Sequence, residues 1–348
     1  MTNIVLVGGG TAGHIMPNIA LVPALKGLFD KVLYIGTPNS MEERICKMQN
    51  IPFYPTKATK FYRRKIWKNA LLPIILAQGI SQAKNILKEE DVSLVFSKGG
   101  YAALPTVLAA RRLGIPIVCH ESDRSMGLAN RLTAPFAERV YTAFPKTYRK
   151  AHIIATPVRE EIFKGKRLDY FADTERKTIL FMGGSLGAKA INDTLSECYA
   201  SLSNKYNILH ITGKGGMPIR TATYCALPYA DNIADLFASA DLVVSRGGAS
   251  TLGELTALGK RVIVIPLPKG ESRGDQEENA AYYRSKGLVS ILPQSALHAD
   301  TLERVIDDII MKRPPAPAYD RETPVILAKE LYDIARMRHI SARYEREK

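Results

Sequence analysis

The chain has 348 residues, 46% of them hydrophobic and 8% aromatic, enough apolar material to bury a large core and to exclude a mostly disordered protein. Lysine and arginine outnumber aspartate and glutamate 48 to 34, and the formal net charge of +14 points to an anionic partner: nucleic acid, an acidic membrane face or a phosphorylated substrate. The four cysteines, Cys46, Cys119, Cys198 and Cys225, form no C-x-x-C pair, which argues for buried thiols and against a disulfide or zinc framework.

In chain order, "NIVLVG" reads as a first strand, because the N-terminus lacks the basic stretch of a signal peptide and reaches glycine after a short apolar run. Then "MPNIALVPALKGL", "KVLYIG", "SLVFSKGG", "PTVLAARRLG", "IPIVCHES" and "RVYTAF" alternate helical and β-branched patterns. That alternation predicts β-α-β units and an open, doubly wound parallel sheet. The apolar run "ALLPIILA", Ala70 to Ala77, falls far short of the ~20 residues that span a bilayer and contains Pro73, so a soluble or peripheral protein is expected. From Thr156 to Lys177 charge density rises and the strand pattern lapses, which reads as an interdomain connection. The pattern restarts in "KTILFMGGSLGAKAINDTL" and continues through "YNILHITGKGG", "DLVVSRGGASTLGELTALG", "RVIVIPLP" and "LVSILPQ". A proline-rich stretch, Lys312 to Pro324, precedes a terminal segment with helical spacing. The expected organisation is two Rossmann-like α/β domains facing across a cleft, residues 1–160 and 161–325, with residues 326–348 forming a helix that packs back on the first domain.

Two glycine turns carry the chemistry. In "VLVGGGTAGH", Gly8, Gly10 and Gly13 satisfy G-x-G-x-x-G after a strand, an arrangement that aims backbone N–H groups and a helix dipole at a phosphate or another anion. The nicotinamide reading also needs an acid at the end of the second strand, and "KVLYIGTPNS" ends without one. Alternatively, the glycines merely allow close packing of strand on helix. In the second half, Gly247 and Gly248 permit a tight turn, and Ala249, Ser250 and Thr251 open a helix able to grip a diphosphate. Glu254 is either the acidic partner of a capping box with Ser250 or Thr251, or an acceptor for ribose hydroxyls. Gln276 and Asn279, at i and i+3, place two amides suited to sugar hydroxyls on one helix face.

The segments "GGGTAGHIMPNIA", "SKGGYAALPT", "HESDRSMGLANR", "TPVREE", "GGSLGAKAIN", "SRGGASTLGEL" and "RGDQEENA" occur in the order and at about the spacings of the MurG glycosyltransferases. The resemblance runs from Ile4 to about Ala280. It implies two Rossmann-like domains of the GT-B type and transfer of N-acetylglucosamine, with inversion, from UDP-N-acetylglucosamine. The acceptor it implies is the muramyl sugar of undecaprenyl-pyrophosphoryl-MurNAc-pentapeptide. It further implies that Thr11, Ala12 and Gly13 face the acceptor pyrophosphate and donor sugar, and that the donor is met by Arg159, Ser185, Ala249, Ser250, Thr251, Leu252, Gly253, Glu254, Gln276 and Asn279. Ala230 falls where the family offers backbone to the uracil, and Asp123 stands where many members carry an asparagine that meets sugar.

In such a transfer an acceptor hydroxyl loses its proton as it attacks the anomeric carbon, and His14, Glu121 and Asp123 could each accept it. His14 and Glu121 are the expected catalytic residues, His14 first because an imidazole titrates near neutral pH. No D-x-D pair occurs, so the turn from Arg246 to Thr251 is expected to balance the leaving diphosphate without a metal, and no cofactor is expected. Between Lys57 and Lys88 lie eight basic residues and no acid, interleaved with Phe61, Tyr62, Ile66 and Trp67, a pattern that fits a peripheral contact with the cytoplasmic face of the cell membrane. A solvated basic helix face over a partly buried apolar stripe is the plainer alternative. No nucleic-acid module is recognisable, and partners in the cell-wall and division machinery follow only from the resemblance. Rival functions are a transferase of the same fold with another lipid acceptor and a non-catalytic sugar-nucleotide-binding module. Intact His14, Glu254 and Gln276 argue against the second.

Overall fold

The computed structural model describes residues 2–61, 66–184, 187–230 and 232–346, without the side chains of 66, 68 and 338–346. The described chain divides into two units, Met1–Pro157 with Arg321–Lys348, and Val158–Asp320.

The first unit is built on β1 (Asn3–Val7), β2 (Lys31–Gly36), β3 (Phe53–Pro55), β4 (Val92–Ser97), β5 (Ile117–Glu121), β6 (Arg139–Thr142) and β7 (His152–Ile153). These form one seven-stranded sheet in the order β3-β2-β1-β4-β5-β6-β7, parallel throughout. Its connecting helices include α1 (Ala12–Lys26), α2 (Met41–Met48), α3 (Leu72–Glu89), α4 (Leu104–Leu113) and α5 (Leu128–Thr133). Every residue of β1 is buried, as expected of a central parallel strand covered on both faces. Ile4 and Leu6 enter one apolar layer with Leu21 and Leu25 of α1, while Val5 and Val7 enter the opposite layer with Ile80, Ala83 and Val107. Strand order reverses direction between β1 and β4, so the loops after these two strands diverge and leave a crevice at their carboxyl ends.

The second unit contains β8 (Thr178–Met182), β9 (Asn207–Ile211), β10 (Ile219–Arg220), β11 (Tyr224–Leu227), β12 (Leu242–Ser245), β13 (Arg261–Val264) and β14 (Ser290–Ile291). Its sheet runs β10-β11-β9-β8-β12-β13-β14, with only β10 antiparallel. Its helices are α6 (Lys189–Lys205), α7 (Ile233–Ser239), α8 (Ala249–Ala257), α9 (Asp275–Ser285) and α10 (Ala299–Ile310). Here the reversal falls between β8 and β12, so each unit has one switch point, and each glycine turn lies at it. The doubly wound α/β class expected from the alternating runs is the observed one.

The charged connection is no loose linker. Val158, Ile162 and Phe171 enter the second unit's core, the Lys166 amide donates to Asp235, and the Leu168 amide donates to Ser239 Oγ. Val158 and Arg159 therefore belong to the second unit, ahead of the boundary that the sequence suggests. The last helix, α11 (Thr323–Arg346), sets Leu327, Leu331 and Ile334 into the same apolar layer as α1, and Tyr332 meets Phe29 edge to face. Among the described residues, no helix is long and apolar enough to cross a membrane.

Candidate functional site

At the first switch point, β1 delivers Gly8–Gly10 into α1, whose N-cap Thr11 makes no side-chain capping bond. The turn is tightly enclosed by its neighbours. A Cβ on Gly9 would lie 2.5 Å from Glu42 Oε1, and one on Gly100, in the loop after β4, 2.4 Å from the Gly9 carbonyl oxygen. Thr11 is exposed, Ala12, Gly13 and His14 are half-buried, and His14 Nδ1 lies 3.0 Å from Thr11 Oγ1. His14 thus sits in the first turn of α1, at the mouth of the glycine loop.

Behind the loop lies a residue that motif reading passed over. Lys98 follows β4, its Cβ would lie 3.0 Å from a Cβ on Gly8, and the residue is 1% exposed. Its Nζ lies 2.5 Å from His120 Nδ1 and donates to Ser122 Oγ at 2.7 Å. Since a carbonyl can only accept, the 3.2 Å contact of His120 Nε2 with the Ile154 oxygen puts the ring proton on Nε2 and leaves Nδ1 as the acceptor for lysine. Burial pulls Lys98 down to about 7, while Glu121 and then Asp123 oppose that fall. Burial, reinforced by the Lys98 charge, pushes His120 well below the usual imidazole range, so it stays neutral. The available signal was a lone lysine closing the apolar strand "SLVFSKGG".

Glu121 has a different task from the one expected of a catalytic residue. It is 3% exposed; Oε1 accepts the Asp123 amide at 3.0 Å, and Oε2 accepts the Gly127 amide at 2.9 Å and Asn130 Nδ2 at 3.0 Å. With its oxygens already engaged by three donors and shut away from solvent, Glu121 clamps the loop after β5 and is not placed to take a substrate proton. The His120 ring meets Lys98 Nζ and the Ile154 carbonyl oxygen. Asp123 is half-buried at the start of the clamped loop.

At the second switch point, β12 delivers Arg246–Gly248 into α8. The N-cap is Gly248, in extended backbone, with no side-chain cap, so the capping-box alternative fails: Ser250 and Thr251 already lie inside the helix. Glu254 instead accepts from Arg159 Nη2 at 2.9 Å and Nε at 3.2 Å, a forked contact that joins the connection to α8. Burial raises the Glu254 carboxyl above its ordinary value, and Arg159 holds it back. Gln276 and Asn279 converge on one residue. Gln276 Oε1 accepts the amides of Gly247 at 3.2 Å and Leu267 at 3.0 Å, and Asn279 Nδ2 donates to the Gly247 carbonyl at 3.3 Å.

Two expected substrate contacts are corrected by burial. Asn279 is 0% exposed and supports the turn from behind, and Leu252 is 0% exposed within the core, its amide donating to the Gly248 carbonyl at 3.0 Å. Ala249 is buried as well, which leaves only its backbone to meet a ligand. Ser250, Thr251 and Gly253 are half-buried along the first turns of α8, and Gly253 has open space where a Cβ would point. Ala230 is half-buried after β11, packed against the core that underlies α8. Ser185 lies outside the described residues.

Residues 4–142 match the glycosyltransferase family 28 N-terminal domain, and residues 178–336 match the family's C-terminal domain. A curated relative from Clostridium novyi, named UDP-N-acetylglucosamine--N-acetylmuramyl-(pentapeptide) pyrophosphoryl-undecaprenol N-acetylglucosamine transferase, is 38% identical over 89% of this chain and 91% of that protein. One of the same name from Clostridium botulinum is 38% identical over 90% of this chain and 92% of its own. The crystal structure of Acinetobacter baumannii MurG superposes with a TM-score of 0.72 at 27% identity, covering 97% of this chain and 100% of that one. The glycosyltransferase of kitacinnamycin shares the fold, with a TM-score of 0.69 at 16% identity and 98% coverage of both chains.

Proposed function

The chain belongs to glycosyltransferase family 28, among the MurG transferases, and from that premise we infer that it moves N-acetylglucosamine from UDP-N-acetylglucosamine to the C4 hydroxyl of the muramyl sugar of undecaprenyl-pyrophosphoryl-MurNAc-pentapeptide. The observation that carries this reading is the match of nearly the full chain, across both domains, to transferases of that name. In the reaction the acceptor oxygen bonds to the anomeric carbon, the bond from that carbon to the diphosphate oxygen breaks with inversion, and the hydroxyl proton passes to a base.

For the base we propose His14. If Nδ1–H donates to Thr11 Oγ1, the Nε2 lone pair is left to accept the proton. Thr11, Ala12 and Gly13 then meet the acceptor side at the uncapped start of α1, where helix N–H groups favour its pyrophosphate. The donor diphosphate is assigned to the start of α8, where Ala249 contributes backbone and Ser250 and Thr251 hydroxyls, with the helix dipole balancing the departing UDP. Gln276 and Asn279 are assigned the support of Gly247, and Arg159 with Glu254 the ribose side of that turn. Ala230 and Ser185 complete the donor contacts.

Membrane docking is assigned to the surface around Lys57–Lys88. Support comes from Phe61, Trp67, Leu71 and Ile74, which are 54%, 71%, 61% and 55% exposed beside exposed Lys57, Lys60, Lys84 and Lys88. Residues 62–65, including Arg63, Arg64 and Lys65, lie outside the described residues. Replacing Arg63, Arg64, Lys65 and Lys68 with glutamate should weaken sedimentation with anionic vesicles; unchanged sedimentation refutes the assignment.

The transferase reading is tested by UDP release with a shortened lipid acceptor in the presence of chelator, with UDP-N-acetylgalactosamine as control. Release that depends on acceptor and is confined to the N-acetylglucosamine donor supports it. No release with a competent acceptor overturns it, and rescue by magnesium removes the metal-free part of the mechanism.

A further inference from the structure

Away from the two turns already described, the second unit buries a chain of polar groups whose direction is fully set. His210, on β9, is 5% exposed and lies between its strand neighbours, Phe181 of β8 and Ala226 of β11. Its Nε2 is 3.0 Å from Asn192 Oδ1, its Nδ1 is 2.8 Å from the Tyr224 hydroxyl, and Asn192 Nδ2 donates to the Thr212 carbonyl at 2.8 Å. A carbonyl only accepts, so Asn192 must turn its nitrogen to Thr212 and its oxygen to His210. The ring proton is then on Nε2, and Tyr224 donates to Nδ1. Burial pushes His210 down to about 4, so the ring is neutral near pH 7. Packing alone would be served by an apolar side chain, which carries no desolvation cost, and does not account for a histidine here.

The chain ends on a backbone oxygen against which a third glycine turn rests. A Cβ on Gly187, which has φ +83°, would lie 2.7 Å from the Thr212 oxygen, and the Gly187 amide donates to the Gly184 carbonyl at 2.8 Å. Thr212 is tied to the sheet by its own amide, which donates to the Leu227 carbonyl at 3.0 Å. This turn follows β8 and leads into α6, and its sequence includes Ser185, assigned above to the donor. Since β8 and β12 are parallel neighbours at the switch point, it opens at the same end of the sheet as Arg246–Gly248.

We propose that His210 is a positioning residue for the donor: through Asn192 it fixes the Thr212 carbonyl, and with it the glycine turn after β8, in the geometry that meets the sugar nucleotide. The role rests on the transferase reading above. A fully satisfied polar chain admits one arrangement of its members, which an apolar filling would not impose.

The test is calorimetry with UDP on the full chain, which needs no turnover. Asn192 stands near the start of α6, where alanine suits the helix, and Asn192→Ala should weaken UDP binding about ten-fold. The KM for UDP-N-acetylglucosamine should rise by a like factor while the acceptor KM stays put. His210→Phe should lose a comparable amount, and His210→Gln, whose amide nitrogen can stand where Nε2 stands, should recover most of it. Because His210 acts through Asn192, the double variant of His210→Phe and Asn192→Ala should bind UDP no worse than Asn192→Ala alone. Unchanged UDP affinity in Asn192→Ala, additive losses in the double variant, or His210→Gln as weak as His210→Phe overturns the positioning role. UDP binding that follows the expected pattern in a chain without acceptor-dependent release upholds that role and overturns the transferase reading instead.

Discussion

Gly8–Gly10 and Gly247–Gly248 both follow a buried parallel strand and precede a helix with no side-chain cap, yet the first turn rests on a buried lysine and a neutral histidine, the second on two amides. The first is hemmed in at Gly9 and Gly10 by Glu42, Ala102 and Tyr101, whereas the second is closed on one side only: a Cβ on Gly247 would lie 2.7 Å from the Gln276 carbonyl oxygen, and one on Gly248 would meet nothing within 4 Å. A strand-glycine-helix turn offers N–H groups to any anion, and it is the side chains packed behind it that give it a ligand preference. In the first unit those side chains bring charge of both signs close to a loop with a titratable histidine. In the second they are neutral and hold one glycine from both its amide and its carbonyl, leaving the ion pair of Arg159 and Glu254 to the side.

The sharpest way to break this contrast is His14→Ala. If the first turn carries proton transfer and the second only donor binding, kcat should fall by roughly 10²- to 10⁴-fold while UDP affinity, measured by calorimetry, stays put. A parallel loss of UDP affinity would remove the division of labour.

Next in size is an alanine placed in each turn's surroundings. Gly100 has φ +81° and no room against the Gly9 carbonyl, so Gly100→Ala should cost at least ~2 kcal/mol in stability. Gly248→Ala, in extended backbone with open space, should stay within about 0.5 kcal/mol. Denaturant midpoints of the two variants decide it, and equal losses would mean that the turns are packed alike.

Glu254→Gln keeps the shape but removes the charge opposite Arg159. We expect the KM for UDP-N-acetylglucosamine to rise roughly ten-fold, through the weakened forked pair and the weaker ribose acceptor, with the acceptor KM unchanged. A change in acceptor KM alone would place Glu254 in the other half of the chemistry.

The smallest effect concerns pH. Lys98 sits at about 7 in the folded chain, against an unfolded value of ~10.4. Between these values the unfolded chain binds more protons, so this contribution to stability is present above the upper value and is lost as pH falls through about 7. The melting temperature of the wild type relative to Lys98→Met should therefore climb as pH rises from 7 to 10. A flat difference would mean that Lys98 is not buried as an ionisable group.

The architecture is legible in the residues alone, because parallel strands covered on both faces must be continuous apolar runs and glycine turns must stand where chain and helix meet closely. "NIVLVGGG" and "DLVVSRGG" show both features without any tertiary information. The sequence motifs also single out Arg159, Glu254, Gln276 and Asn279, but not what each touches. That Glu254 pairs with Arg159, that Asn279 faces Gly247 from within the core, and that Glu121 is a loop clamp were decided only by tertiary packing, which fixes who lies within hydrogen-bond distance across 95, 32 and 6 residues of chain. Lys98 illustrates the same limit. A lysine at a strand end reads as solvated, and only the fold, by closing His120, Ser122 and the glycine turn over it, removes the water and turns an ordinary charge into a buried one.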